Sequence, residues 1–166
     1  MVGKSLDEFA IRDFKDTGMI AVKTPVFPFM NFPRVHVYPG PEMRSTGEVM
    51  GMDSTFGGAF AKAQFAAGHG LPKKGNAFVS VNDNDKLSVI PIARQLYELG
   101  FRIIATQGTY QTLRKAGIPA KPVYKVGEGR PNSLDLIINQ DIHIIVNTPL
   151  GKVSRSDEYR IGRVAI

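Results

Sequence analysis

The chain has 166 residues, 43% of them hydrophobic, enough for one compact domain or for one domain with an appended piece. It contains no cysteine, which excludes disulfides, thiolate metal sites and a thiol nucleophile, and which fits a reducing compartment. The net charge of +6 suits a phosphorylated partner, but scattered basic residues, five tyrosines and no tryptophan argue against a stacking platform for nucleic acid.

The opening MVGKSLDEFA lacks the apolar core of a signal peptide, and no apolar run is long enough to cross a bilayer. A soluble, cytoplasmic chain with no membrane partner is expected. Ser5-Leu6-Asp7-Glu8 has the form of a capping box, predicting a helix from Ser5 to about Lys15 that Thr17-Gly18 ends. Met19 to Val22 reads as a strand. Thr24 to Tyr38 is apolar and punctuated by Pro25, Pro28 and Pro33, with alternation in Val35, His36 and Val37, so any strand there belongs at an edge. Pro39 to Gly51 reads as a loop holding Glu42, Arg44 and Glu48; no Lys-Ser or Lys-Thr follows its glycines, so it is not a phosphate loop. Phe56, Phe60, Ala63 and Ala67 recur at helical spacing, predicting an amphipathic helix from Ser54, its cap, to Ala67. The glycine-, proline- and lysine-rich run Gly68 to Gly75 reads as a linker, with the domain boundary inside it.

Beyond it strands and helices alternate. A strand at Ala77 to Val81 leads through the polar turn Asn82 to Lys86 into a helix reaching about Leu99, with Val89, Ile92, Ala93 and Leu96 inward. Phe101, Ile103 and Ile104 form a strand that feeds Thr106-Gln107-Gly108-Thr109 and a helix closed by Gly117. Gly108 is expected to supply an unusual backbone conformation and Thr109 the N-cap, leaving amide N–H groups for an anion. A third strand around Pro122 to Val126 precedes the turn Gly127 to Pro131, and Asn132 or Ser133 caps a helix carrying Leu134, Leu136, Ile137 and Ile138. Asp141 opens the strand Ile142 to Val146, and a basic loop leads to a last helix near Asp157.

This order implies an α/β fold, a parallel sheet flanked by helices in flavodoxin-like layers, because parallel neighbours need right-handed crossovers. Ligands of such sheets sit beyond the carboxyl ends of the strands. Lys86 follows the first strand, Thr106 and Thr109 the second, Lys125 and Gly127 the third, Asn147 and Thr148 the fourth. Their meeting at one edge would make a phosphate-sized anion pocket.

GPEMRSTGEVMG at Gly40 to Gly51 and FAKAQ at Phe60 to Gln64 closely resemble the end of the second ATP-grasp half of the carbamoyl phosphate synthase large subunit. SVNDNDK, ATQGT, YKVGEGRP and VNTP resemble its C-terminal regulatory domain, of methylglyoxal synthase-like fold. The resemblance implies an α+β ATP-grasp remnant over residues 1–70, a linker over 71–75, and an allosteric domain over 76–166 that lacks the family's last strand and helix. It further implies a parent ligase making carbamoyl phosphate from bicarbonate and glutamine-derived ammonia for arginine and pyrimidine synthesis. ATP and magnesium sites would lie upstream of Met1, leaving no cofactor and no catalytic residue in this segment. Effector phosphate would bind Lys86, Thr106, Thr109, Lys125, Asn147 and Thr148, with uridine or inosine monophosphate as effector and ornithine nearby. Pro149 stands where some relatives have a second threonine. The implied partners are the rest of the large subunit and the glutaminase small subunit, in an oligomer.

Two alternatives accompany this reading. A stand-alone methylglyoxal synthase-like phosphate lyase would need a carboxylate base, and the turn where such enzymes carry aspartate offers only Glu128. An oligomerisation module is the other, compatible with effector binding. Asp83 and Asp85 lack the glycine and terminal glutamate of a calcium loop. His36, His69 and His143 stand too far apart in sequence to suggest a metal site, and Arg155, Arg160 and Arg163 read as a solvated basic face.

Overall fold

A computed structural model describes residues 3, 5, 8, 18–27, 47–151, 159–162, 164 and 165. The chain divides into two units; among the described residues, those up to Leu71 lie in the first and those from Pro72 in the second.

In the first unit, β1 (Ile20–Val26) pairs antiparallel with β2 (Gly47–Asp53), and α1 (Phe56–Ala66) packs on the ribbon they form. β1 runs four residues beyond the expected Val22 and includes Pro25, opposite Glu48. A two-stranded ribbon consists only of edges, where a missing N–H costs least. The expected loop ending at Gly51 is also corrected, since Gly47 to Gly51 belongs to β2. Its alternation is hidden because the inward position is Gly51, which is buried. A Cβ there would lie 2.1 Å from the Ala59 carbonyl oxygen and 2.4 Å from the Ala63 nitrogen. Ala59 and Ala63, both fully buried, complete this close approach of helix to strand. Small residues, not the phenylalanines, therefore make the contact: Phe56 and Phe60 stack on each other at 5.9 Å and are 63% and 42% exposed.

The cap of α1 is Thr55 rather than Ser54; its hydroxyl accepts the Gly58 N–H at 3.2 Å. Asp53 ties the end of β2 to the helix, accepting the Thr55 N–H at 3.1 Å and an ion pair from Lys62 at 2.8 Å. These donors, Lys62 first, lower its pKa from 3.8 to about 2.

Ser5 donates its N–H to the Glu8 carboxylate at 3.2 Å, one half of the expected capping box. The remainder of that helix, the segment through Val35, His36 and Val37, Glu42, Arg44, and the positions of Arg155 and Arg163 lie outside the described residues.

The second unit is a parallel sheet of four strands in the order β5-β4-β3-β6: β3 (Gly75–Val81), β4 (Phe101–Thr106), β5 (Ala120–Val123) and β6 (Ile144–Thr148). β3 starts at Gly75, inside the run that reads as linker. That residue has φ +127°, and a Cβ on it would meet the His143 ring at 2.5 Å. His143 Nδ1 accepts the Asn76 N–H at 3.2 Å, so this histidine packs the sheet's lower end.

Side chains alternate across the sheet. Ala77, Val79, Ile103 and Ala105 form one core with Val89 and Ala93 of α2 (Val89–Glu98) and Leu113 of α3 (Gln107–Lys115). Phe78 and Ile104 point the other way, to Ile137 of α4 (Ser133–Ile138) and to Ile161. On α2 the inward neighbours are Ile90 and Leu96, whereas Ile92, expected inward, is 48% exposed. On α4, Ile137 is buried and Ile138 exposed. Asn132 caps α4 with a full capping box: its side chain accepts the Leu134 and Asp135 N–H groups, and its own N–H donates to Asp135 at 2.9 Å. Residues 159–162, 164 and 165 are helical. Among the described residues, no helix is long and apolar enough to cross a membrane.

Candidate functional site

β3, β4 and β5 succeed one another toward one edge, while β6 returns to the other side of β3. Chain connections therefore diverge between β3 and β6, and at such a point the loops beyond the strands part to leave a crevice. A cavity of about 290 Å³ opens there, near the lower end of small-ligand pockets.

Lys86, Thr106, Thr109, Lys125, Asn147 and Thr148, drawn from the ends of all four strands, all line it. Asn147 and Thr148 are the last two residues of β6, opposite Ser80 and Val81, rather than residues following the strand. β5 ends at Val123, so Lys125 comes from the turn after it. Gly127, also placed at this edge by the sequence, is not among the described lining residues.

The turn after β4 differs from expectation in two respects. Thr106, not Thr109, is the N-cap of α3, and Gly108 lies within the helix at an ordinary negative φ. Missing bulk, not backbone freedom, is what Gly108 contributes: a Cβ on it would stand 3.0 Å from Lys86 Nζ. Thr109 is 1% exposed, and its hydroxyl accepts the Val81 N–H at 3.2 Å, joining α3 to β3. The Thr106 and Ser80 hydroxyls bond each other at 3.2 Å.

Asn82, read from sequence only as part of a polar turn, connects the two diverging strands. Its N–H donates to the Thr148 carbonyl at 3.2 Å and its side-chain amide to the Thr148 hydroxyl at 3.2 Å and to Asp85 at 2.7 Å. Its side-chain oxygen accepts the Asn84 N–H at 2.9 Å. An asparagine after a strand is a turn signal in sequence, and only the pairing of β3 with β6 gives it the second strand to bind.

The cavity is electropositive. Lys86 pairs with Asp83 at 2.5 Å. The hydrogen bond and charge of Lys86, with a further contribution from the charge of Lys125, hold the Asp83 carboxyl below its ordinary range. Two lysines thus face one exposed carboxylate, leaving net positive charge for an anion. Val126, Pro149, Leu150, Phe78 and Ile161 add apolar wall. Glu128 is not among the described lining residues; its carboxylate accepts the Lys125 N–H at 3.3 Å. Among the described residues no cluster of three acidic or histidine side chains could hold a metal ion.

Residues 88–166 match the MGS-like domain family. The chain carries an MGS-like domain. Along its whole length it is 53% identical to the carbamoyl phosphate synthase large chain of Acidobacterium capsulatum, spanning 16% of that protein. Over 92% of its length it is 51% identical to the C-terminal section of the large chain from Aquifex aeolicus, spanning 28% of it. Over 91% it is 53% identical to the corresponding section from Methanopyrus kandleri, again 28% of that relative. The chain thus matches the C-terminal part of the carbamoyl phosphate synthase large chain, and spans well under a third of the relatives named. The MGS-like match begins at Leu87's neighbour Ser88 and takes in all the lining residues from Thr106 onward, while Lys86 stands just before it.

Proposed function

We propose that this chain is the C-terminal regulatory segment of a carbamoyl phosphate synthase large subunit, and that its cavity binds a nucleoside monophosphate effector by the phosphate. The observation that carries the reading is the convergence of Lys86, Thr106, Thr109, Lys125, Asn147 and Thr148 on one electropositive cavity at the diverging strands. The lysines supply charge, the hydroxyls and the Asn147 amide supply donors, and Val126, Pro149 and Leu150 offer an apolar wall for a ribose or base. Uridine and inosine monophosphate are the candidate effectors, with ornithine binding nearby.

On this reading the unit of β1, β2 and α1 is the end of an ATP-grasp half, and ATP- and magnesium-dependent synthesis belongs to the remainder of a cytoplasmic large subunit. The glutaminase subunit completes the assembly, which serves arginine and pyrimidine synthesis and oligomerises. Allostery follows if the effector binds two states of that assembly unequally. A lyase reading is less well supported, because the acid among the described lining residues, Asp83, is paired with Lys86.

The test is calorimetric titration of the chain with uridine monophosphate, inosine monophosphate, ornithine and a triose phosphate, alongside Lys86→Ala. Saturable binding of a nucleotide, weakened by about 1.5 to 3 kcal/mol in the variant, is the expected result. A folded chain that binds neither nucleotide would refute the proposal, and turnover of the triose phosphate would favour the lyase.

A further inference from the structure

We propose that the Ser133 hydroxyl is a direct ligand contact, donating a hydrogen bond to a phosphate oxygen of the anion held in the cavity. The inference rests on the reading of that cavity as an anion site. Ser133 is the first residue of α4, is 2% exposed, and lines the cavity. Its backbone N–H is committed to the Tyr124 carbonyl at 3.0 Å. Its hydroxyl has no hydrogen-bond partner among the described residues. Nor does α4 need that hydroxyl as a cap, since Asn132 fills the role with both halves of a capping box.

Proteins seldom bury a hydroxyl without a partner. Every sealed-off side-chain polar atom among the described residues has one, so the Ser133 hydroxyl is not sealed, and the space it meets is the cavity it lines. The other lining hydroxyls already hold protein partners: Thr109 and Thr148 accept from Val81 and Asn82, and Thr106 donates to Ser80, so that Thr148 and Ser80 also keep a proton to donate. Ser133 keeps its full donor capacity, on the wall where Lys125 also arrives from the turn after β5. A hydroxyl held rigid by burial loses little freedom on meeting an oxyanion, which makes it an effective donor. No signal in the sequence marks the residue, because a serine after a capping asparagine reads as an alternative cap.

The test compares the 166-residue chain with Ser133→Ala and with Ser133→Cys, which keeps the volume and donates weakly. Each is titrated calorimetrically with uridine monophosphate, inosine monophosphate and inorganic phosphate, and melted without ligand. Removing a hydrogen bond to a charged oxygen should weaken nucleotide binding about ten- to hundredfold in Ser133→Ala, with Ser133→Cys between it and the parent. The unliganded melting temperature should be unchanged, as expected when the lost group had no protein partner. If Ser133→Ala does not fold, a measurable but smaller loss in a folded Ser133→Cys decides in favour. Parental affinity in the folded variants, with binding still lost in Lys86→Ala, overturns the Ser133 contact and leaves the anion reading standing. Failure of the parent to bind any of the three probes overturns both.

Discussion

Lys86 and Gly108 meet closely at the cavity: the lysine ammonium stands 3.0 Å from where a Cβ on the glycine would lie. The loop after β3 and the first turn of α3 can meet there because residue 108 has no side chain. Helix stability alone would favour alanine at such a position, so cavity shape and helix propensity oppose each other.

Gly108→Ala should therefore separate stability from binding. The helix gains up to about 1 kcal/mol from the better helix former, while Lys86 is pushed off its position and nucleotide affinity falls several-fold. Denaturant melts and calorimetry on the same preparation check both halves, and equal or tighter binding with greater stability would refute the close-approach argument.

Thr109→Val should lower stability more than it lowers affinity. The hydroxyl is buried and accepts the Val81 N–H, so valine leaves that donor without its acceptor, at a cost of about 1 to 3 kcal/mol. A urea midpoint equal to the parent's would show that the bond from Val81 contributes nothing.

Gly51→Ala should disrupt the first unit. A methyl group 2.1 Å from the Ala59 carbonyl oxygen meets backbone, which cannot swing aside, and overpacking of this kind costs about 1 to 3 kcal/mol or more. Gly47→Ala is the matched control, because nothing lies within 4 Å of its Cβ position. Circular dichroism melts of the two variants should differ clearly.

Acid should weaken the same unit through Asp53. Its folded pKa of about 2 lies below the ordinary 3.8, so the folded state binds its proton less readily than the unfolded state does. The resulting stabilisation is present above pH 3.8 and is lost as pH falls through about 2. Asp53→Asn should flatten the fall in stability across that window, and a carboxyl titration followed by NMR should place the Asp53 midpoint well below those of the exposed carboxylates.

The layered fold was legible because it is written in local periodicity. Ala77 to Val81 and Phe101 to Ile104 are apolar runs of strand length, and Val89, Ala93 and Leu96 recur at helical spacing, so α/β order follows from residue type and spacing alone. The match to the MGS-like family runs over residues 88–166, which include the Ala105 to Thr109 stretch. Where glycine occupied the informative position the pattern failed: β2 read as a loop because Gly51 is the inward residue, and Gly75 read as linker because its missing side chain makes room for His143. The buried face of α1 follows the sequence pattern at Ala63 but not at the phenylalanines, for a related reason. Large apolar residues attract attention in sequence, yet it is Ala59 and Ala63 whose smallness lets the helix approach the ribbon.

By itself the sequence determined which residue types stand at the ends of the strands, since that depends only on neighbours along the chain. Tertiary structure alone decided that β6 lies beside β3, that Asn82 therefore reaches Thr148, that Thr109 is engaged with Val81, and that the Ser133 hydroxyl is buried at the cavity without a partner. The physical reason is that a hydrogen bond between residues 66 positions apart leaves no periodic trace in the chain. It exists only once the sheet has brought both ends together.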